Sequence, residues 1–353
     1  LAAGADATLR DNCGDTAVFI AEATGRAAVA EVFHSHAQAK CAAAEAAANA
    51  AELVVFPETH LPGFPVWCGL RAPIYNHEFF RTLAANAPQV DGPEIAAIAD
   101  ATRQSEVFVS LGFNERSPIS DGCLWNANLL IGDRGEILCH HRKIVPTFYE
   151  KLVWAAGDGA GLQVCDTRLG KLGMLICGEN TNPLARFTML AQGEQVHCSS
   201  YPPVWPAHDP NSSEGYDLER AILLRASAHS FEGKVYNVVA SGYLDRATKT
   251  RLTDCGSEAE RILEGSPPGI SVVIGPDGNP ISEIKKDEEG LLYADIDLSR
   301  CVEPKQIHDV VGGYNRFDIF ELKVNRAANR PISFEPRTNA SCDSGNNEAG
   351  VES

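Results

Sequence analysis

The sequence has few basic residues for its length and no long apolar run. It carries 30 lysine and arginine residues against 47 aspartate and glutamate residues, a formal net charge of -17. Proteins that bind nucleic acid or anionic membrane need basic patches that neutralise phosphates, so this balance argues against both partners. No apolar stretch reaches the roughly 18 residues of a membrane span. Residues 1–20 also lack the basic and apolar regions of a signal peptide. We therefore expect a globular, cytoplasmic protein.

Metal-binding and disulfide patterns are missing as well, although the chain has 11 cysteines. There is no C-x-x-C, the number is odd, the spacings are irregular, and the chain is too large to need disulfides for stability. In Cys139-His140-His141, adjacent strand residues would point to opposite faces and could not share a metal. The Gly-rich loop at 157–162 precedes a strand instead of following one, which is wrong for nucleotide binding. We predict reduced thiols, no metal and no cofactor.

Helical and apolar segments alternate along the chain. The Ala-rich residues 27–51 predict a helix that leads into the apolar run AELVVFPE, and a second helix over about 93–105 leads into VFVSLGF. Two further strand pairs surround the turns at 132–135 and 276–279 and predict two similar hairpins. This alternation indicates an α/β protein. The repeated hairpin favours a core of two sheets with helices outside.

Three reactive residues each follow an apolar strand. Glu58 ends ELVVFPE, Lys143 ends GEILCHHRK, and Cys177 ends GKLGMLIC. The functional crevice of an α/β sheet lies beyond the carboxyl ends of its strands, so these side chains are expected to meet. A thiol needs a neighbouring base and cation to act as a nucleophile. We also expect the helix suggested by NPLARFTMLAQ to lower the pKa of Cys177. Taken singly, each residue is more often a core thiol or a surface charge, and only their conjunction favours a site.

The blocks FPETHLPGFPVW, HRKIVPTFYE and CGENTNPLARF resemble the three signature blocks of the nitrilase superfamily of carbon–nitrogen hydrolases, in the same order. The resemblance covers about residues 15–332. The flanks SSYPPVWP and GGYNRFDIFELKVN resemble the nitrilase branch. The resemblance implies a four-layer α-β-β-α sandwich, with a single carbon–nitrogen hydrolase domain over residues 1–333. The polar residues 334–353 predict a flexible tail. The resemblance also implies a homo-oligomer built from dimers that can extend into a helix.

The resemblance further implies Glu58 as general base, Lys143 as electrostatic stabiliser, Cys177 as nucleophile and Glu150 as the residue that positions the lysine. The implied reaction is hydrolysis of a small-molecule nitrile, arylaliphatic or aromatic, to the acid and ammonia. Cyanide as substrate, an amide product and an amidase of the same superfamily remain alternatives. A papain-like hydrolase would need His197 or His308 and a local motif that is missing. A non-catalytic protein of the same fold would have lost one of the three reactive residues, and all are present.

Two positions depart from the family pattern near the nucleophile. Gly178 stands where the family usually has tryptophan, and Phe148 stands where many members have histidine. Gly178 either leaves space for a bulky nitrile or supplies a positive φ that only glycine adopts readily. We expect the substrate pocket to be lined by residues close to the signature blocks: Phe64, Trp67, Phe148, Gly178, Tyr201 and Trp205.

Overall fold

The computed structural model describes residues 27–209, 211–212, 215–253, 256–330 and 332. The predicted tail over residues 334–353 lies outside the described residues. The α-helices of the described part are α1 (Ala27–Ala48), α2 (His77–Asn86), α3 (Pro93–Ser105), α4 (Pro183–Leu190), α5 (Leu218–Gly233), α6 (Arg246–Thr253), α7 (Ser257–Glu264) and α8 (Val302–Ile307).

The strands form two sheets. The strands of the first sheet, in the order β1-β2-β3-β4, are β1 (Leu53–Val55), β2 (Phe108–Arg116), β3 (Leu124–Ile131) and β4 (Ile137–Arg142). The strands of the second sheet, in the order β10-β9-β8-β7-β6-β5, are β5 (Cys165–Thr167), β6 (Gly170–Ile176), β7 (Val196–Tyr201), β8 (Tyr236–Ser241), β9 (Ile270–Ile274) and β10 (Lys285–Lys286).

The predicted α3 has the expected bounds, because its ends carry local signals. Pro93 occupies the first turn, where a missing amide costs nothing, and Glu106 ends the helix in the left-handed region at φ 54. The first hairpin is also confirmed, with Ala127 to Ile131 of β3 paired antiparallel to β4. The second hairpin is shorter than predicted. β9 pairs with only the two residues of β10, so the repeat between the two halves is partial.

The two sheets pack face to face, and helices cover their outer faces. Side chains alternate along β2, so Phe108 contacts the second sheet while Val109 and Leu111 pack under α1 and α3. On the opposite side, Ile222 of α5 packs on Ile270 and its neighbours in β9. The apolar core therefore lies both between the sheets and under the helices. The predicted four-layer α-β-β-α sandwich is confirmed.

The prediction of reduced thiols is correct for most of the described cysteines and wrong for one. Cys41 in α1 is in a disulfide bond. The free thiols are those of Cys68, Cys123, Cys139, Cys165, Cys177, Cys198 and Cys301. Among the described residues, no helix combines the length and the apolar character that crossing a membrane requires.

Candidate active site

The structure brings the three strand-end residues into the interior. Lys143 directly follows β4 and Cys177 directly follows β6, whereas Glu58 lies three residues beyond β1. Their exposed fractions are 1% for Glu58, 1% for Lys143 and 5% for Cys177. Burial of an acid, an amine and a thiol together is costly unless they pair, so the arrangement has to be held by specific contacts.

Lys143 is held between two carboxylates. Its Nζ donates to Glu58 Oε1 at 2.7 Å and to Glu150 Oε2 at 2.7 Å. Glu150 lies in the 3-10 turn Phe148–Leu152, and its Oε2 also accepts from the backbone amide of Thr147 at 2.8 Å. All three ionisable side chains of this group are fully buried. One ammonium is thus shared by two buried carboxylates.

Backbone pairing places Cys177 beside this group. The parallel ladder of β6 and β7 pairs Ile176 with Ser200, so Cys177 lies level with Tyr201. The carbonyl of Tyr201 accepts from the backbone amide of Glu58 at 3.3 Å, which anchors Glu58 next to the cysteine. Cys177 has φ 48, in the left-handed region that non-glycine residues rarely adopt. Such strain at a nucleophile is typical of functional turns.

The prediction that a helix N-terminus lowers the pKa of Cys177 is wrong. Cys177 begins the 3-10 turn Cys177–Thr181, and α4 starts only at Pro183. The first free amide of α4, that of Leu184, is taken by the Asn182 side chain at 2.9 Å. Burial raises the pKa of the Cys177 thiol well above its usual range, Glu58 adds to the increase, and Lys143 offsets only part of it. Cys177 is therefore a thiol at neutral pH and not a thiolate.

The charge states of its neighbours follow from the same burial. Desolvation raises the pKa of Glu58 to about 7. Lys143 opposes this increase, whereas the negative charge of Glu150 adds to it. Burial alone would lower the pKa of Lys143, but Glu150 and Glu58 outweigh it and hold the pKa well above its usual range. At neutral pH the site thus offers a fixed cation and a carboxylate that can take a proton.

Asn126 is a contact of the site that the sequence analysis missed. It lies in the middle of β3, and its Nδ2 donates to Glu58 Oε1 at 2.6 Å. Its backbone carbonyl accepts from the amide of Lys143 at 2.8 Å. The only sequence signal was a pair of amides, Asn126 and Asn128, within the otherwise apolar strand LWNANLLI.

Four aromatic rings form a cluster over the site. Trp205 donates from Nε1 to Glu150 Oε1 at 3.1 Å. It stacks on Tyr149 with a centroid distance of 5.4 Å and meets Tyr216 edge-on at 5.0 Å. Phe148, which is 67% exposed, meets Trp205 edge-on at 6.4 Å. Cys177 and the fully buried Tyr201 pack in the same apolar cluster as Trp205 and Tyr216.

Two of the predicted pocket residues line a second cavity outside the candidate site. Phe64 and Trp67 line a cavity of about 310 Å³ beside α2 and α6, and none of the four candidate catalytic residues lines it. Both rings also pack in the apolar cluster that contains Tyr149, Trp154 and Trp205. Phe64 contacts Trp154 edge-on at 5.5 Å, and Trp154 in turn lies 6.0 Å from Lys143 Nζ.

The structure revises both explanations of Gly178. The positive φ belongs to Cys177, whereas Gly178 is not among the residues with positive φ. The space beside Gly178 is not empty either, because a Cβ atom there would lie 2.8 Å from Thr147 Oγ1. Gly178 is therefore required for close approach to the segment that carries Glu150.

Replacing Gly178 by alanine is expected to lower nitrile turnover about 10- to 100-fold, because the new methyl group would push the nucleophile turn away from Thr147. The loss should be the same for three nitriles of increasing size, measured as kcat/KM. The double variant Gly178→Ala/Thr147→Ala removes the clash and should recover most of the activity. A loss that grows with substrate size, or no recovery in the double variant, would contradict this explanation.

Neither histidine of the papain-like alternative contacts Cys177. His197 is bonded through Nδ1 to Glu194 at 2.7 Å and through Nε2 to Asn180 at 2.9 Å. His308 packs on Phe231 with a centroid distance of 4.9 Å. In the described part of the chain, Glu194, His197 and His229 form one group whose atoms could face a metal. Both histidines contact the carboxylate at 2.7 Å, which is the length of a direct hydrogen bond, so we interpret the group as a buried polar network.

The chain is similar to known proteins over most of its length. A sequence profile described as carbon-nitrogen hydrolase matches residues 27–306. The chain belongs to the carbon–nitrogen hydrolase family. Within it, the chain is 32% identical over 293 residues to a nitrilase of Paraburkholderia phymatum, covering 83% of this chain and 82% of the relative. It is also 32% identical to an aliphatic nitrilase of Rhodococcus rhodochrous, over 82% of this chain and 78% of the relative. These relatives identify the nitrilase branch of the superfamily.

An arylacetonitrilase of Aspergillus kawachii is likewise 32% identical, over 82% of this chain and 86% of that protein. Solved structures support the fold. A carbon-nitrogen hydrolase from Helicobacter pylori superposes with a TM-score of 0.60 at 21% identity, covering 81% of this chain and 90% of that one. The C. elegans NitFhit protein gives a TM-score of 0.62 at 18% identity, covering 85% of this chain and 65% of that one. The family membership supports carbon–nitrogen hydrolase activity.

Proposed function

We propose that this protein is a nitrilase that hydrolyses an organic nitrile to the carboxylic acid and ammonia, with Cys177 as the nucleophile. The observation that carries the proposal is the ammonium of Lys143 at 2.7 Å from both Glu58 and Glu150, buried beside the cysteine. A buried thiol with a high pKa gains nucleophilicity only when a base removes its proton, and Glu58 is the carboxylate tuned for that transfer.

The first half of the reaction adds the thiol to the nitrile. Glu58 takes the Cys177 proton while sulfur bonds to the nitrile carbon, and it then gives this proton to the nitrogen, which yields the thioimidate and returns Glu58 to its ionised form. Lys143 stabilises the negative charge that develops on this nitrogen, since its ammonium is already oriented and desolvated. Glu150 holds the lysine in place by accepting one of its protons in a hydrogen bond.

The second half uses two water molecules. Glu58 takes a proton from the first water, which attacks the thioimidate carbon and forms a tetrahedral intermediate. When the C–N bond breaks, the nitrogen takes the proton from Glu58 and leaves as ammonia, and a thioester remains. The second water hydrolyses the thioester to the acid and restores the thiol. When the C–S bond breaks instead, an amide is released. Whether Glu58 gives its proton to the nitrogen or to the sulfur decides between these outcomes.

The aromatic cluster favours a nitrile that carries an aryl group. The cluster presents ring faces and edges beside the nucleophile, and its neighbouring ring centroids lie 5.0 to 6.4 Å from one another. Its members are Phe148, Tyr149, Trp205 and Tyr216. Offset or edge-on contact with a substrate ring contributes about 0.5–1.5 kcal/mol beyond burial of its area. We therefore propose arylaliphatic or aromatic nitriles as the substrate class. The homologous arylacetonitrilase supports this choice and the homologous aliphatic nitrilase does not.

Ammonia release from a panel of arylacetonitriles, benzonitriles, aliphatic nitriles and cyanide tests the proposal. We expect the highest kcat/KM on an arylacetonitrile and the acid as the main product by chromatography. Phe148→Leu should reduce activity on aryl substrates more than on aliphatic ones, since it removes a ring from the cluster and leaves the hydrogen bond of Trp205 to Glu150 in place. Turnover of amides but of no nitrile would identify an amidase, and absence of any turnover would refute catalysis.

The pH dependence of kcat/KM is expected to show an acidic limb with its midpoint near pH 7, because Glu58 must be ionised to accept the thiol proton. The raised pKa means that activity is present above this pH and is lost as pH falls through it. Asn126→Leu removes a hydrogen bond that favours the ionised form and should move the midpoint to higher pH.

Asn128→Leu is the matched control for this shift. Asn128 lies two residues further along the same face of β3, is fully buried, and contacts Ser110 at 3.3 Å. Its replacement should leave the midpoint in place. A midpoint near 4.5 in the unmodified protein, the ordinary pKa of a glutamate, would contradict the raised pKa of Glu58.

We also propose that the chain assembles into dimers and larger homo-oligomers, as its family resemblance implies. Leu184 of α4 and Leu224 and Phe231 of α5 are exposed apolar side chains on the helices that cover the second sheet, with exposed fractions of 60%, 62% and 48%. Burial of such a face in a subunit interface removes apolar area from water. Sizing chromatography with light scattering tests this point, and an active monomer would refute it.

A further inference from the structure

Glu179 links the two strands that carry Lys143 and Cys177. It lies in the same 3-10 turn as Cys177, two residues further on, and is 6% exposed. Its Oε1 accepts from the backbone amide of Ile144 at 2.5 Å, and its Oε2 accepts from the backbone amide of Ile176 at 2.8 Å. Ile144 follows the lysine and Ile176 precedes the cysteine. One carboxylate therefore holds a backbone neighbour of each reactive residue.

This link crosses from one sheet to the other. Lys143 follows β4 of the first sheet, and Cys177 follows β6 of the second sheet. Strand ladders fix each residue only within its own sheet, and apolar packing between sheets is not directional. The hydrogen bonds of Glu179 supply direction and distance where the ladders cannot.

His141 contributes a third hydrogen bond to the Glu179 carboxylate. It is fully buried in β4, and its Nε2 lies 2.8 Å from Glu179 Oε2. Its Nδ1 has no hydrogen-bond partner among the described residues, so Nε2 is the ring nitrogen that donates to the carboxylate. Burial opposes ionisation of Glu179, but His141 and the two backbone amides keep its pKa below the usual range. The carboxylate thus accepts three hydrogen bonds and remains charged.

We propose that Glu179, supported by His141, is a positioning residue that sets the separation between Lys143 and the Cys177 thiol. The proposal rests on the proposed role of Cys177 as nucleophile. Glu179 acts through the backbone and does not touch the reacting atoms. Glutamine at this position can accept only through one oxygen, so it cannot bond both Ile144 and Ile176 as the carboxylate does.

Glu115 in β2 provides a matched control, because it contacts side chains of β4 on the strand face opposite to His141. It is 1% exposed and accepts from His140 Nε2 at 2.8 Å, from Arg142 Nε at 2.8 Å and from Arg142 Nη2 at 2.5 Å. These donors belong to the first sheet, as does Glu115 in β2. Glu115→Gln therefore weakens a buried carboxylate with three hydrogen bonds without changing the link between the sheets.

The test compares Glu179→Gln, Glu115→Gln and the unmodified full chain. The readouts are thermal unfolding, kcat and KM on an arylacetonitrile, and the rate of Cys177 alkylation by iodoacetamide across pH, followed by peptide mass spectrometry. We expect Glu179→Gln to lower kcat about 100-fold with KM within about threefold, because a misplacement near 1 Å has this effect. Its alkylation rate should fall about tenfold, while Glu115→Gln changes both rates by less than about threefold.

Should Glu179→Gln fail to fold, His141→Gln loosens the carboxylate and leaves both backbone bonds in place, with an expected loss in kcat of about tenfold. Equal losses in the Glu115 and Glu179 variants, a loss confined to KM, or an unchanged alkylation rate would overturn the proposal. Alkylation needs no nitrile, so it reports on positioning even if the substrate is misassigned. The proposed function fails separately, through nitrile turnover that persists in Cys177→Ala.

Discussion

Cys177→Ser is expected to lower nitrile hydrolysis at least about 1,000-fold while the fold remains intact. Serine has nearly the same size and can donate the same proton, but its oxygen is far less nucleophilic than sulfur in an addition to a nitrile carbon. Cys177→Ala should be equally inactive. Ammonia release gives the activity, and circular dichroism with thermal unfolding gives the state of the fold.

Cys301→Ser is the control for this substitution. Cys301 is a free thiol, 3% exposed, in the turn Leu298–Cys301 that precedes α8. Its replacement tests whether loss of a buried thiol alone impairs the enzyme, and activity should stay within about twofold of the unmodified level. If Cys177→Ser retains even about a tenth of the activity, the thiol mechanism is wrong.

Glu58→Gln and Lys143→Met are each expected to lower kcat/KM about 1,000-fold, and the double variant should lose little more than either single one. The reason is that both act on the same proton and the same developing charge, and they are joined by a contact of 2.7 Å. Independent sites would instead show losses that multiply. The measurement is a double-mutant cycle on kcat/KM with one arylacetonitrile.

Stability has to be followed in the same cycle. Lys143→Met leaves Glu58 and Glu150 buried without their cation, and loss of one partner of a buried pair costs about 3–5 kcal/mol. The carboxylates can relieve this cost by binding a proton, so the Lys143 variant should be more stable at pH 5 than at pH 8. Urea unfolding at both pH values measures this difference. Multiplying kinetic losses in a well-folded double variant would contradict one shared site.

Much of the fold could be read from local signals. The bounds of α3 follow from Pro93 at its start and from the end of its apolar periodicity, and the turn at 132–135 marks the first hairpin. The extent of β10 was not predicted correctly. Its two residues have no apolar alternation, and their pairing with β9 depends on where the rest of the sheet lies.

The candidate site shows the same division. Glu58, Lys143 and Cys177 were found because each follows an apolar strand, and strand ends of an α/β fold converge. Asn126 was missed because it reaches Glu58 across 68 positions of sequence from the middle of a strand. The expected lowering of the Cys177 pKa was wrong because burial of the thiol raises its pKa and the first free amide of α4 bonds to Asn182 instead.

Local sequence patterns were sufficient to predict the α/β class, the first hairpin and the three reactive residues, since periodicity, prolines and glycines act within a few residues of each other. The protonation of the thiol, the sharing of Lys143 by two carboxylates, the contact of Gly178 with Thr147 and the bridge of Glu179 between the sheets were visible only in the packed structure. These features depend on desolvation and on distances of a few ångströms between segments that are far apart in the chain. Such distances exist only once both sheets have packed.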